Sequence, residues 1–247
     1  MKQIYVLISI IFILTTLSYG QLTEKLKLYV GGGAAQPVES FLLNKFFEEM
    51  PIDVQTPDNF ENYWQPGVNI GAGFEYGFTR NLSLRADFSY SHFTFNPDPI
   101  QKIIEDGYRE TEQLALQQGD TINIRIVDFN VYRGAVNIYT ASLTAKASLP
   151  LGIVTPYIVG GGGYMHIEQQ PIELSNLVDP IDFGFSFSFQ VPQDKSDSFM
   201  GIGGGGISFN LAQNVHPFIE GNYLLGLTQG DNTIYYSFRG GFIFGFQ

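Results

Sequence analysis

The chain has no cysteine. Disulfide staples, thiolate nucleophiles, thiolate metal ligands and cysteine-borne lipid are therefore excluded. Histidine is scarce: His92, His166 and His216 are scattered with no HxH or HExxH spacing. A histidine metal centre is not expected from that pattern, and no cofactor is called for. Basic residues are few, with 13 Lys and Arg against 24 Asp and Glu and a formal charge of −11. Nothing basic is clustered, which argues against nucleic acid as a partner. Beyond the first twenty residues there is also no apolar run of the roughly 20 residues that a membrane-crossing helix needs.

The N-terminal run has a different character. Lys2 precedes the apolar stretch Ile4 to Leu17, and Ser18-Tyr19-Gly20 follows with small residues at two of its three positions. This is the layout of a secretory signal peptide cut before Gln21. Residues 1–20 are expected to be removed and 21–247 to form one exported domain. Loss of Lys2 takes the formal charge of the mature chain to −12.

Aromatic residues and glycine are what the chain has in excess: 22 Phe, 14 Tyr and 28 Gly. They fall in strict alternation. In Pro66 to Phe78, Val68, Ile70, Ala72, Phe74, Tyr76 and Phe78 alternate with Gly67, Asn69, Gly71, Gly73, Glu75 and Gly77. After Thr79-Arg80-Asn81 the pattern resumes through Leu82, Leu84, Ala86, Phe88 and Tyr90. A period of two is the signature of a strand with unlike faces, and the short break between the two runs is a hairpin turn. The same pattern recurs in Leu26 to Ala34, Tyr139 to Leu149, Val154 to Glu168, Phe199 to Leu211, Pro217 to Leu227 and Ile234 to Phe246. That makes eight strands, with no clear helix after the leader. All but the first reach the length of about 9–11 residues that a tilted strand needs to cross a bilayer.

The connections are unequal. Short turns near Arg80, Pro150-Leu151-Gly152 and Gln213-Asn214 alternate with long segments at 36–65, 96–126 and 169–197, and a brief one at 228–232. Long loops thus gather at one end and short turns at the other, as in an outer-membrane barrel with short periplasmic turns and long external loops. The long side carries 18 of the 24 acidic residues. A solvated loop surface is the plain reading of that charge.

A soluble barrel would turn its apolar line inward, whereas a membrane barrel turns it outward. Lys27, Glu75, Arg85, Asp87, Lys146, Glu220 and Arg239 lie on the polar line, where they would form a complementary interior charge network. Tyr76, Phe78, Tyr90, Phe244 and Phe246 lie near strand ends, where interfacial girdles form. The expected fold is all-β: an eight-stranded antiparallel up-and-down transmembrane β-barrel with long extracellular loops.

The segments "TPYIVGGGGYMHI" (Thr155 to Ile167), "HPFIEGNYLLG" (His216 to Gly226) and "FRGGFIFGF" (Phe238 to Phe246) resemble the small outer-membrane β-barrel family of OmpA-type and OmpX-type domains. The resemblance covers about Leu26 to Gln247. It implies a Gram-negative cell outer membrane, contact with outer-membrane lipid, and insertion by the barrel-assembly machinery. It also implies that Phe238, Gly240, Phe242, Phe244 and Phe246 are the C-terminal assembly signal, although Gln247 follows the last aromatic. No peptidoglycan-binding domain is expected after the eighth strand. The resemblance leaves the activity open.

Other motifs weigh less. The runs Gly160 to Gly163 and Gly203 to Gly206 lack the Lys-Ser/Thr and the helix of a phosphate loop, so they read as strand glycines that permit curvature. Ser91 and His92 are adjacent, but neighbours on a strand point to opposite faces, which disfavours a hydrolase dyad. Val38 to Met50 carries a partial helical face that suits a rim, a lid or a gate. Phe183, Phe185, Phe187 and Phe189 read as a strand extending the barrel wall, and Thr121 to Asp128 as another. If both crossed the bilayer, ten strands would result.

Eight strands leave an interior that side chains can fill, so a closed lumen is expected. The functional expectation is a non-enzymatic, structural or surface-interacting barrel. A narrow, porin-like channel of the OmpW type for small hydrophobic molecules is the alternative, and a lipid-modifying enzyme a more distant one. An extracellular partner or a small hydrophobic ligand is possible on this reading, without a residue to name for it.

Overall fold

The structure, a computed structural model, describes residues 26–38, 64–99, 129–132, 134–176, 187–191, 193–211, 214–228 and 232–246, with 102, 106, 109, 113, 116 and 117 singly. The leader and its cut before Gln21 lie outside these residues, as do Thr121 to Asp128 and all of Val38 to Met50 except Val38.

The strands in chain order are β1 (Leu26–Pro37), β2 (Gly67–Gly77), β3 (Leu82–Thr94), β4 (Phe129–Tyr132), β5 (Ala135–Ser148), β6 (Val154–Gln169), β7 (Ile172–Asn176), β8 (Phe187–Val191), β9 (Asp194–Phe209), β10 (Val215–Gly226) and β11 (Thr233–Phe246). Eight of them close into one antiparallel barrel in the order β1-β11-β10-β9-β6-β5-β3-β2. Closure is made by the first and last strands, β1 and β11: Leu26 pairs with Phe246, and the register runs without a break to Pro37 opposite Tyr235. A closed sheet leaves no unpaired strand edge, which is the condition for a β-structure to sit in lipid.

β4, β7 and β8 form a separate three-stranded sheet on the long-loop side. Of the Phe-rich segment, Phe187 and Phe189 lie in β8, which pairs with β7 in this sheet and not with a barrel strand, while Phe183 and Phe185 lie outside the described residues. The ten-strand alternative is excluded by the closed eight-strand register. Helix is also present where none is expected from the pattern. Asp98, Pro99, Lys102, Asp106, Arg109, Gln113, Leu116 and Gln117 are helical. Polar and apolar residues are mixed through this segment, so it shows no clean apolar face by which a helix could be read from the pattern.

The short turns are tightly made. Between β2 and β3, the Thr79 side-chain oxygen accepts hydrogen bonds from the backbone N–H groups of Asn81 (3.2 Å) and Leu82 (3.0 Å). Between β5 and β6, Gly152 takes a φ of 77°, in the left-handed region where a side chain costs energy.

The barrel has an apolar outer wall. Phe199 is 78% exposed and Ile158 67%, and Val68, Ile70, Phe74, Phe88, Leu143, Ile219 and Phe238 are also exposed. The opposite line faces the lumen. Toward the long-loop end this polarity reverses in β3, β5 and β6. There Phe93, Val136, Ile138, Met165 and Ile167 turn inward and are fully buried, while His92 and Glu168 take the outward positions. Such a swap is what a wall standing in water requires, since water on its outer face favours a polar outside and an apolar core.

Candidate functional site

The lumen is occupied in layers. In its middle, Arg85 from β3, Asp87 from β3, Glu220 from β10 and Arg239 from β11 meet in one buried cluster. The Arg85 guanidinium donates to both oxygens of Glu220, one of them at 3.0 Å, and to Asp87 Oδ2 at 2.8 Å. Arg239 Nη2 donates to Asp87 Oδ2 and to Glu220 Oε1, each at 2.9 Å. Two cations and two carboxylates thus cancel. The acids take further donors: Tyr29 Oη donates to Asp87, Tyr157 Oη to Glu220 (3.0 Å) and Asn222 Nδ2 to Glu220 (2.7 Å). The Arg85 guanidinium also lies over the Tyr29 ring, 3.8 Å from its centroid. Buried charge is tolerated only when paired and hydrogen-bonded in this way.

One layer nearer the short turns, Lys146 from β5 donates to Glu75 from β2 at 2.8 Å, and Ser83 donates to the other Glu75 oxygen at 3.0 Å. Glu75 is the register partner of Arg85, yet its carboxylate goes to Lys146, one strand further round the barrel. Lys27 is inward too, and it lines a cavity below this pair rather than the central cluster. Of the seven interior charges named from the sequence, four therefore meet in the central cluster, Lys146 and Glu75 form an ion pair, and Lys27 lies beside that pair as the register partner of Glu75. Tyr29, Tyr157 and Asn222 were missed as members. All three lie on the inward line, but Tyr on a barrel strand reads first as a girdle residue.

Above the cluster the filling is apolar. Phe93 and Tyr235 stand edge to face with ring centroids 5.7 Å apart, and Trp64 and Phe95 do the same at 5.6 Å. With Ile138, Met165, Ile167 and Ile172, which are fully buried, these side chains stop the long-loop half of the lumen. Below the Lys146–Glu75 pair lies a polar cavity of about 270 Å³ at the short-turn end.

The remaining candidates have plain positions. Ser91 is buried and accepts a hydrogen bond from Asn69 Nδ2 at 2.8 Å, whereas His92 projects from the outer face toward Asn137 Oδ1 at 2.8 Å. The two never meet across a common site. His166 pairs with Asp197 at 2.6 Å on the outer face of β6 and β9. That is a histidine with a polar partner, but Ser91, the hydroxyl paired with a histidine in the sequence, is buried on β3 and held by Asn69. The glycine runs lie within β6 and β9, not in phosphate-binding loops. Phe238, Phe242 and Phe246 are exposed on the outer face of β11, with Gly240 and Phe244 on the same line.

No family model matches this chain. An uncharacterized protein of Coxiella burnetii is 26% identical over 174 residues, which cover 68% of this chain and 62% of that protein, less than two thirds of its length. Among solved structures, the chain is similar to Neisserial surface protein A (11% identity, 90% of this chain and 97% of that one, TM-score 0.47). It is also similar to Ail, the attachment invasion locus protein of Yersinia pestis (15% identity, 90% and 100%, TM-score 0.43). The N-terminal β-barrel domain of Pseudomonas aeruginosa OprF is a third likeness (12% identity, 90% and 98%, TM-score 0.37).

Proposed function

We propose that this chain is an integral outer-membrane barrel that does not conduct and does no chemistry in its lumen. On this reading its role is structural or one of surface interaction, carried by the acidic long-loop side. The observation that carries the reading is the lumen itself, filled at two successive levels by side chains of unlike chemistry. The Arg85–Glu220 contact crosses it in the middle, and the buried apolar group around Phe93 and Ile138 fills it above. An ion would have to displace both a paired charge cluster and a closely packed layer of large apolar side chains, each unfavourable on its own.

The exposed apolar wall supports a lipid surround, and Lys2 with the apolar run Ile4 to Leu17 supports export, with a cut before Gln21 as part of this proposal. Insertion by the barrel-assembly machinery, with Phe238 to Phe246 as its signal, belongs to the same proposal.

The purified protein reconstituted in planar lipid bilayers is expected to give no steady open-channel current, while its heat-modifiable migration shows that the barrel is folded. A large, stable conductance from the folded protein would overturn the closed lumen. Accumulation in the inner-membrane or soluble fraction of cells would overturn the location.

A further inference from the structure

We propose that the cavity at the short-turn end is a binding site for a small oxyanion, a phosphate or carboxylate group. It has the volume for one: about 270 Å³, against roughly 30 Å³ for a water in the liquid. It is a dead end, floored by the Lys146–Glu75 pair and rimmed by residues of all three short turns, Arg80, Pro150 and Asn210 among them.

Its lining opposes the charge of the rest of the chain. Among the described residues that line it, Lys27, Arg80 and Lys146 stand against one carboxylate, Glu75, in a protein whose acids outnumber its bases by 24 to 13. That carboxylate is already shared: it accepts from Lys146, and it is the register partner of Lys27 across β1 and β2. The central cluster cannot supply a counter-charge, because its two arginines and two acids balance among themselves.

Lys27 and Lys146 lie inside the barrel wall, where charge is poorly screened, while Arg80 is exposed at the rim, so the field of the inner cations is focused on the mouth where Arg80 stands and draws in an anion. The Thr79 and Thr155 side-chain oxygens accept hydrogen bonds, which leaves their O–H groups to donate to an anion, whereas Ser83, Ser148 and Ser208 already donate to Glu75 and to the Asn81 and Thr155 carbonyls. A free anion and the terminal group of a larger molecule share this chemistry. The site does not depend on which membrane the barrel occupies.

The test uses the whole barrel in uncharged detergent micelles at constant ionic strength, with inorganic phosphate and acetate titrated separately by calorimetry. Saturable one-to-one binding with a dissociation constant of about 1 mM or tighter is expected for at least one of them. The tighter probe names the group. Lys27→Gln and Arg80→Gln, which leave the Lys146–Glu75 pair in place, are each expected to weaken binding about tenfold. Heat-modifiable migration of both variants keeps a folding failure from being read as lost binding. Absence of saturable binding to either anion, or equal affinity in the parent and both variants, would overturn the site.

Discussion

Arg85 on β3 and Glu220 on β10 are four strands apart in the closed order of the barrel, and their side chains meet across the full width of the lumen. In an eight-stranded barrel four steps is diametrically opposite, so this contact ties together two walls that share no backbone hydrogen bonds. Glu220 also holds Arg239, Tyr157 and Asn222. Its removal would leave two buried guanidinium groups with Asp87 alone.

Glu220→Ala is expected to destabilise the barrel by about 3 kcal/mol or more, the cost of leaving a buried charge without its partner. Arg85→Met together with Glu220→Leu is expected to lose less than Glu220→Ala, because Arg239 and Asp87 remain as a neutral pair at 2.9 Å. Urea unfolding from phospholipid vesicles measures both, followed through the fluorescence of Trp64, the only tryptophan of the chain and a buried one. A double variant less stable than Glu220→Ala would contradict this account.

Glycines on the two faces of β9 should respond unequally to a methyl group. A Cβ at Gly206 would stand 2.6 Å from the Tyr157 hydroxyl and collide with the Ile219 carbonyl, whereas at Gly203 it meets nothing within 4 Å. Gly206→Ala is expected to cost about 1–3 kcal/mol through overpacking. Gly203→Ala should stay within about 0.5 kcal/mol of the parent. The same vesicle unfolding assay separates them.

The seam between β1 and β11 makes the C-terminal strand indispensable. Deleting residues 242–247 removes the partners of Leu26 to Val30 on one side and of Val215 to Pro217 on the other. The truncated chain is expected to fail membrane insertion. Recovery of that chain, folded and heat-modifiable, in outer membranes would sink the prediction.

Because the chain has no cysteine, single-cysteine labelling can establish which end faces out. Leu116 on the long-loop side and Leu151 in a short turn are both well exposed. An impermeant maleimide is expected to label Leu116→Cys in intact cells and Leu151→Cys only after the envelope is opened. The reverse pattern would invert the proposed orientation.

Much of the barrel could be read from the sequence, for a physical reason. Where one face meets lipid and the other a packed lumen, a period of two is forced on every strand, so Glu75, Arg85, Asp87, Glu220 and Arg239 could be assigned inward by parity alone. Glu220 and Arg239 could even be placed together, since β10 and β11 are hairpin neighbours and the two are register partners. The Arg85–Glu220 contact could not be read, because contacts across a lumen depend on how the sheet closes rather than on sequence neighbours. Nor could the Lys146–Glu75 pair, which passes over β3. The long-loop ends misled for another reason. Val136 to Ile138 and Met165 to Glu168 keep the period of two but exchange the polarity of its faces, and that exchange is itself a signal a reader of the pattern can use. β4, β7 and β8, at four or five residues each, are too short for periodicity to separate from loop.

That exchange of faces acts as a waterline. On β6 and β9 the outward side chains pass from Tyr164 and Phe199, through His166 and Asp197, to the Glu168–Lys195 pair at 2.8 Å. Were the barrel to ride two residues deeper, the His166–Asp197 pair would sink toward hydrocarbon. Were it to ride two higher, Tyr164 and Phe199 would surface in water. Both displacements are uphill, so in the proposed membrane setting the chain holds its own draught, and the height at which its outer sheet and acidic loops stand clear of the bilayer is encoded in the strands below them.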